Sequence, residues 1–186
     1  IKIKMKKVSY QGVPGAYSQS AAKKFFGEEI DTFGTDSFED ALNSAEEERS
    51  PSDVNYSILP VENSIEGTVG QSIDEILKTN LHSIGEVYLK VEHCLIGRGR
   101  LGNVTKVYSH PQALGQCSDF ILYNNLRTVP TYDTAGSVEI IKDLEDNCAA
   151  IASSLASSLY NIPIIKKGIA NNSNNFTRFL VFSREN

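Results

Sequence analysis

Apolar and polar positions along this chain change period repeatedly, and each change marks an element. Val8-Ser9-Tyr10 reads as a short strand that runs into Gln11-Gly12-Val13-Pro14-Gly15-Ala16, and a helical stretch follows from Tyr17 to Phe26. Two glycines and a proline between strand and helix predict a tight turn with free backbone N–H groups above it. Gly27 ends the helix. The segment lacks the Gly-Lys-Ser/Thr ending of a phosphate loop. Ser37 with Asp40 three residues on predicts an N-cap, and Phe38, Ala41, Leu42 and Ala45 follow at helical spacing. Glu46 to Glu48 read as a solvated face and Ser50 to Asp53 as the loop out. Val54 to Leu59 is the next strand, with Pro60 expected to stop it. Val61 to Thr68 is then a polar loop at a strand's carboxyl end, where open α/β sheets hold ligands. Ile73, Ile76 and Leu77 predict a helix. Asn80 to Gly97 is long for one strand and suits a segment crossing between two lobes.

The pattern then restarts. Thr105 to Tyr108 reads as a strand ending in Ser109-His110-Pro111, with Pro111 in a first helical turn and Leu114, Cys117 and Ile121 as its buried stripe. His110 by itself suits a capping or buried structural role. Arg127 to Thr131 is a strand, and Asp133-Thr134-Ala135-Gly136-Ser137 opens a helix. Cys148 to Ala152 is a strand of small residues, Ser153-Ser154 caps a helix ending at Tyr160, and Ile162 to Ile165 extends again. Last, a run of amides from Asn171 reaches Asn175-Phe176-Thr177-Arg178-Phe179, and Phe179 to Phe182 reads as a buried strand. The amides favour turns, because their side chains bond nearby backbone. Thr177 and Arg178 therefore stand at the mouth of a strand, as a pocket floor or as the entry of an edge strand. The recurrence of strand, polar turn and helix predicts α/β architecture with parallel strands.

Composition narrows the classes. The chain has 186 residues, ordinary apolar content and net charge −5, which fits a folded protein with a sizeable core. It has no basic block, so nucleic acid is not an expected partner. No apolar run approaches bilayer length, so no membrane role is expected. Cys94, Cys117 and Cys148 are widely spaced and read as reduced core residues, and with His82, His93 and His110 they show no metal-ligand spacing. An intracellular, cytoplasmic location is expected. Ile1 to Lys4 precede the single methionine, Met5, and read as a cloning scar or the cut edge of a longer chain.

Helix starts at Gly15, Asn63-Ser64, Ser109 and Thr134 could converge on one crevice. Each would offer N–H groups and a partial positive charge to an anion, and Arg178 could clamp a carboxylate bidentately. Singly, Glu62 and Asn63 are turn residues. Six segments, however, together resemble the catalytic domain of the prephenate dehydratase family, including its arogenate-using members. They are Gly12-Val13-Pro14-Gly15-Ala16-Tyr17-Ser18, Pro60-Val61-Glu62-Asn63-Ser64, Ser109-His110-Pro111-Gln112-Ala113-Leu114, Thr134-Ala135-Gly136-Ser137, Ala149-Ala150-Ile151-Ala152-Ser153 and Asn175-Phe176-Thr177-Arg178-Phe179. They stand in family order and cover nearly the whole chain from Lys7. The first has Val13-Pro14-Gly15 where many members carry Pro-Glu-Gly.

The resemblance implies an α/β fold of two lobes with mostly parallel sheets and a cleft between them, similar to type 2 periplasmic-binding-protein folds. Residues 1–85, completed by 176–186, would form one lobe and 86–175 the other. It implies decarboxylating dehydration of prephenate, a small dicarboxylate, to phenylpyruvate, with Thr177 catalytic and Glu62 a possible proton relay. Arogenate as substrate, or a non-catalytic anion-binding domain of the same build, are the alternatives. Asn63, Ser64, Ser109, Gln116, Thr134, Ala135, Asn175, Arg178 and Phe179 would bind substrate. No cofactor or metal is implied, and a homo-oligomer is. Family members commonly carry a C-terminal phenylalanine-binding regulatory domain. This chain stops soon after Phe182, so that domain and its feedback inhibition are expected to be missing.

Overall fold

The computed structural model describes residues 5–47 and 54–185. The expected loop from Ser50 to Asp53, Glu48 and the segment Ile1 to Lys4 lie outside the described residues. In chain order come β1 (Lys6–Gln11), α1 (Tyr17–Phe26), β2 (Ile30–Thr35), α2 (Phe38–Glu46), β3 (Tyr56–Asn63), β4 (Gly67–Thr68), α3 (Gly70–Ile76) and β5 (His82–Lys90). Next are β6 (Cys94–Ile96), β7 (Lys106–Ser109), α4 (Pro111–Gln116), α5 (Ser118–Tyr123), β8 (Arg127–Pro130) and α6 (Gly136–Ile141). The chain closes with β9 (Cys148–Ala152), α7 (Ser154–Tyr160), β10 (Ile164–Lys166) and β11 (Phe176–Ser183).

These elements form two units. The first draws on 1–12, 17–90 and 175–186, the second on 13–16 and 91–174. The expected boundary after residue 85 falls inside β5, and that strand stays whole because it pairs along its length with β11. The four residues Val13–Ala16 belong to the second unit.

In the first unit the sheet order is β2-β1-β3-β11-β5, with β4 on β3. Parallel pairing covers β2-β1-β3, and β11 runs antiparallel to both of its neighbours. The helix α2 begins at Ser37, whose Oγ accepts from Asp40 N at 3.0 Å, which satisfies one of the N–H groups that a helix start leaves open. Its apolar face, Ala41, Leu42 and Ala45, packs with Leu59, Leu81 and Phe182. The helix α1 stops at Gly27, with φ of 96° and its N–H on Lys23 O.

In the second unit the order is β10-β6-β9-β7-β8. The pairs β7–β8 and β7–β9 are parallel, while β6–β9 and β10–β6 are antiparallel. Most strands of each sheet therefore run one way, as expected, and β11 with the short β4 in the first sheet and β6 in the second join against the direction of the βα units. The strand β9 is buried throughout, and its small side chains let helices pack close on it. The expected stripe Leu114, Cys117 and Ile121 is buried, although the helix breaks at Cys117 into α4 and α5. The long apolar run from Asn80 to Gly97 is two strands, β5 in the first sheet and β6 in the second.

The turn Val13–Ala16 is held on the start of α7. Ser153 Oγ donates to Gly15 O at 2.6 Å and accepts from Ala156 N at 3.1 Å. Gly15 has φ of +94°, and a Cβ there would lie 2.8 Å from Ala156 Cα.

Candidate functional site

Pro60 does not stop β3. It pairs with Phe179, while Glu62 pairs with Arg178 and Asn63 with Thr177. Val61 is the extra residue of a β-bulge, and a bulge is one of the few places where a strand tolerates proline. The bulge decides the site. Without it Thr177 would face Glu62, since a slip of one residue moves every side chain to the other face. With it Asn63 faces Thr177, and three residues, Ser64 to Glu66, turn the chain into β4. Gly67, at φ 82°, takes the left-handed position that such a short hairpin loop needs.

Asn63 joins three segments. Its Oδ1 accepts from Ile65 N at 2.9 Å and from Glu66 N at 3.0 Å. Its Nδ2 donates to Asn175 Oδ1 at 2.8 Å, to Thr177 Oγ1 at 2.9 Å and, more weakly, to Phe176 O at 3.3 Å. Two backbone N–H groups can face only an oxygen, so the local structure fixes which way this amide points. Thr177 Oγ1 thus accepts an N–H, and its own proton is directed elsewhere. Thr177 is 8% exposed and Asn175 is fully buried. Ser64 ties the turn to β11: Ser64 N donates to Phe176 O and Phe176 N donates to Ser64 Oγ, both at 2.9 Å.

Glu62 and Arg178 lie on the opposite face of the same strand pair. Arg178 is bound to Glu86 of β5, with Nη2 2.6 Å and Nε 2.7 Å from Oε2, and its guanidinium stands 6.0 Å from the Tyr88 ring centre. The Glu86 hydrogen bond leads the causes that raise its pKa. Strand alternation therefore turns the expected carboxylate clamp, Arg178, and the expected proton relay, Glu62, to the face opposite Thr177. Arg178→Lys should leave KM for the substrate unchanged in steady-state assays. A KM rise of about tenfold would return the residue to the binding site. Phe179 is core, at 2% exposure.

Ser109, Gln116, Thr134 and Ala135 lie in the second unit. Ser109 is fully buried and donates to Ile151 O at 2.7 Å, which binds β7 to β9. Ala135 is packed in the core against α6 and β9, and Thr134 O accepts from Ser137 Oγ at 2.6 Å. His110 is a cap, its Nδ1 accepting from Gln112 N at 3.2 Å. Gln116 Oε1 takes the Nε2 hydrogen of His93 at 2.8 Å, and Gln116 O accepts from Asn171 N at 2.7 Å. The contact of His93 with Gln116 was not legible in the sequence, because no local spacing ties the two.

Burial lowers the His93 pKa below its ordinary 6.5, against a smaller opposite effect from Gln116. The unfolded chain then binds the extra proton, so stability rises with pH across this range. It is fully present above about 6.5 and declines as pH falls toward the folded value. Thermal unfolding should show Tm falling below pH 6.5, and His93→Gln should flatten that slope. The thiols Cys94, Cys117 and Cys148 are free and buried, and burial pushes Cys117 up to about 12. Among the described residues, no three His, Cys, Asp or Glu side chains gather as a metal site. No described helix is long and apolar enough to cross a membrane.

A mixed α/β protein of two units, with an alcohol held by asparagine at the end of an antiparallel strand pair, defines the class. The chain belongs to the prephenate dehydratase family, which it matches over residues 8–186. It is 41% identical over 185 residues to arogenate dehydratase 1 of Petunia hybrida, covering 96% of this chain and 42% of that protein. It is 38% identical over 183 residues to the chloroplastic arogenate dehydratase/prephenate dehydratase 2 of Arabidopsis thaliana, covering 96% and 46% respectively. It therefore spans less than half the length of these relatives. The solved prephenate dehydratase of Arthrobacter aurescens in complex with L-Phe shares the fold, with a TM-score of 0.84 at 22% identity over 97% of this chain and 61% of that one. The relatives' names denote dehydratases, which are carbon–oxygen lyases.

Proposed function

We propose that this chain converts prephenate to phenylpyruvate, with Thr177 donating a hydrogen bond to the departing hydroxyl oxygen. The C–CO₂ bond breaks and its electron pair moves into the ring. The ring C–O bond then breaks at the far end, giving an arene, carbon dioxide and, with one proton taken up, water. Aromatisation drives the step, so what the protein adds is orientation and help to the leaving group. A placed donor of this kind contributes typically ~10²–10⁴-fold. The observation that carries the reading is the bond from Asn63 Nδ2 to Thr177 Oγ1, which leaves the hydroxyl's proton to be donated. Because Glu62 faces away, the net proton comes from water or a bound carboxylic acid rather than from that residue.

Arogenate as substrate is the second reading, favoured by the name of the Petunia relative, while that of the Arabidopsis relative gives both substrates. Parallel assays separate the two. Phenylpyruvate from prephenate, seen by its near-ultraviolet absorbance in base, supports the first. Phenylalanine from arogenate, with prephenate inert, replaces it with the second. Tight binding of either without turnover makes the chain a non-catalytic binding domain. A reducing compartment, the cytoplasm in this reading, suits three unpaired buried thiols, and the net charge of −5 argues against nucleic acid. A homo-oligomer belongs to the same reading.

A further inference from the structure

We propose that Asn63 and Asn175 are positioning residues, which set the direction of the Thr177 hydroxyl without touching the substrate. This rests on the reading of Thr177 as donor to the leaving oxygen. An asparagine amide has two hydrogens and two oxygen lone pairs. In Asn63 all four are engaged within the strand pair and its turn: Ile65 N and Glu66 N at the oxygen, Asn175 Oδ1 and Thr177 Oγ1 at the nitrogen. Nothing in that side chain is left to hold a ligand. Its expected place among the substrate-binding residues is thereby replaced by a role one bond further back.

The polarity of the chain of bonds follows from its fixed end. The two backbone N–H groups turn the Asn63 oxygen toward the hairpin, so the NH₂ must face β11. There it meets Asn175 Oδ1, Thr177 Oγ1 and, at the longer 3.3 Å, Phe176 O, and each must accept. Asn175 is fully buried, so water does not compete for its oxygen, and its acceptance holds the Asn63 NH₂ in plane beside Thr177. A threonine hydroxyl rotates among three staggered positions. One that receives an N–H in this way keeps its proton on the far side, as a donor. The arrangement acts only when an oxygen arrives there to accept, so it affects the chemical step more than binding.

Asn63→Asp tests this with little change of shape. The carboxylate still accepts from Ile65 N and Glu66 N, so the turn is retained. Its other oxygen now accepts where NH₂ donated, and the Thr177 proton turns toward it and away from the substrate. The expected result is kcat lower by on the order of 10²–10³-fold with KM within about twofold. In a Thr177→Ala background the same change should cost less than about threefold, because residues acting as one unit are not additive. A KM rise with losses that multiply across the double variant would make Asn63 a ligand contact and overturn the proposal. So would an unchanged kcat beside a crippled Thr177→Ala, which would leave the Thr177 reading standing. If Thr177→Ala alone is as fast as the unaltered chain, both readings fall. Should Asn63→Asp not fold, Asn175→Leu removes the other acceptor and is expected to lower kcat at unchanged KM, again without adding to Thr177→Ala.

Discussion

Thr177→Ala is expected to lower kcat by on the order of 10²–10⁴-fold, about 2.7–5.4 kcal/mol of barrier at 1.36 kcal/mol per tenfold. Thr177→Ser should retain most of the rate. The size follows from the kind of interaction: a hydrogen bond to an oxygen whose charge grows as the C–O bond breaks is stronger in the transition state than before it. KM should therefore move little. Serine keeps the oxygen that accepts from Asn63 and the hydrogen that is donated, and loses only the methyl that restricts χ1. Alanine loses both and leaves Asn63 Nδ2 short of an acceptor beside the buried Asn175. Stopped assays of product over a range of substrate concentrations separate kcat from KM. An alanine variant as fast as serine would remove the hydroxyl from the chemistry.

The second large effect is on stability. Gly15→Ala should destabilise the fold by about 2–5 kcal/mol, combining roughly 1–2 kcal/mol for a side chain in left-handed backbone with 1–3 kcal/mol for overpacking. The added carbon would meet Ala156 Cα at 2.8 Å, and backbone cannot swing aside as a long side chain can. Gly27→Ala is the control. It has the same sign of φ, +96°, but nothing within 4 Å of the added carbon, so only the conformational part, roughly 1–2 kcal/mol, should appear. Urea unfolding at constant slope gives both values. Equal losses at the two positions would show that the close approach to α7 carries no energy.

What the sequence made legible was local. The helix from Tyr17 to Phe26, its stop at Gly27, the caps at Ser37 and Ser153 and the all-apolar strand β9 each follow from residues a few positions apart. The motifs holding Asn63 and Thr177 were readable for the same reason, although 114 positions separate the two. Their registration was not. It depends on one unpaired residue, Val61, in a strand that Pro60 was expected to end. That single bulge exchanges Glu62 for Asn63 opposite Thr177 and so turns Glu62 to the other face; Arg178, next to Thr177 in β11, faces away from it by alternation alone. Glu86, 92 positions from Arg178, gave no local sign of becoming its partner. That β11 and β6 run against the other strands gave no local sign either, since strand direction is set by which neighbour a segment finds.

Thr177→Val is the sharpest single measurement, because valine keeps the shape of threonine and removes only the hydroxyl. Single-turnover rate and the Kd of an unreactive substrate analogue would be measured on the same preparation. A rate lower by about 10²-fold or more with Kd unchanged is the predicted result. An unaltered rate, or a loss carried wholly by Kd, would contradict the account of Thr177 as the donor to the leaving oxygen.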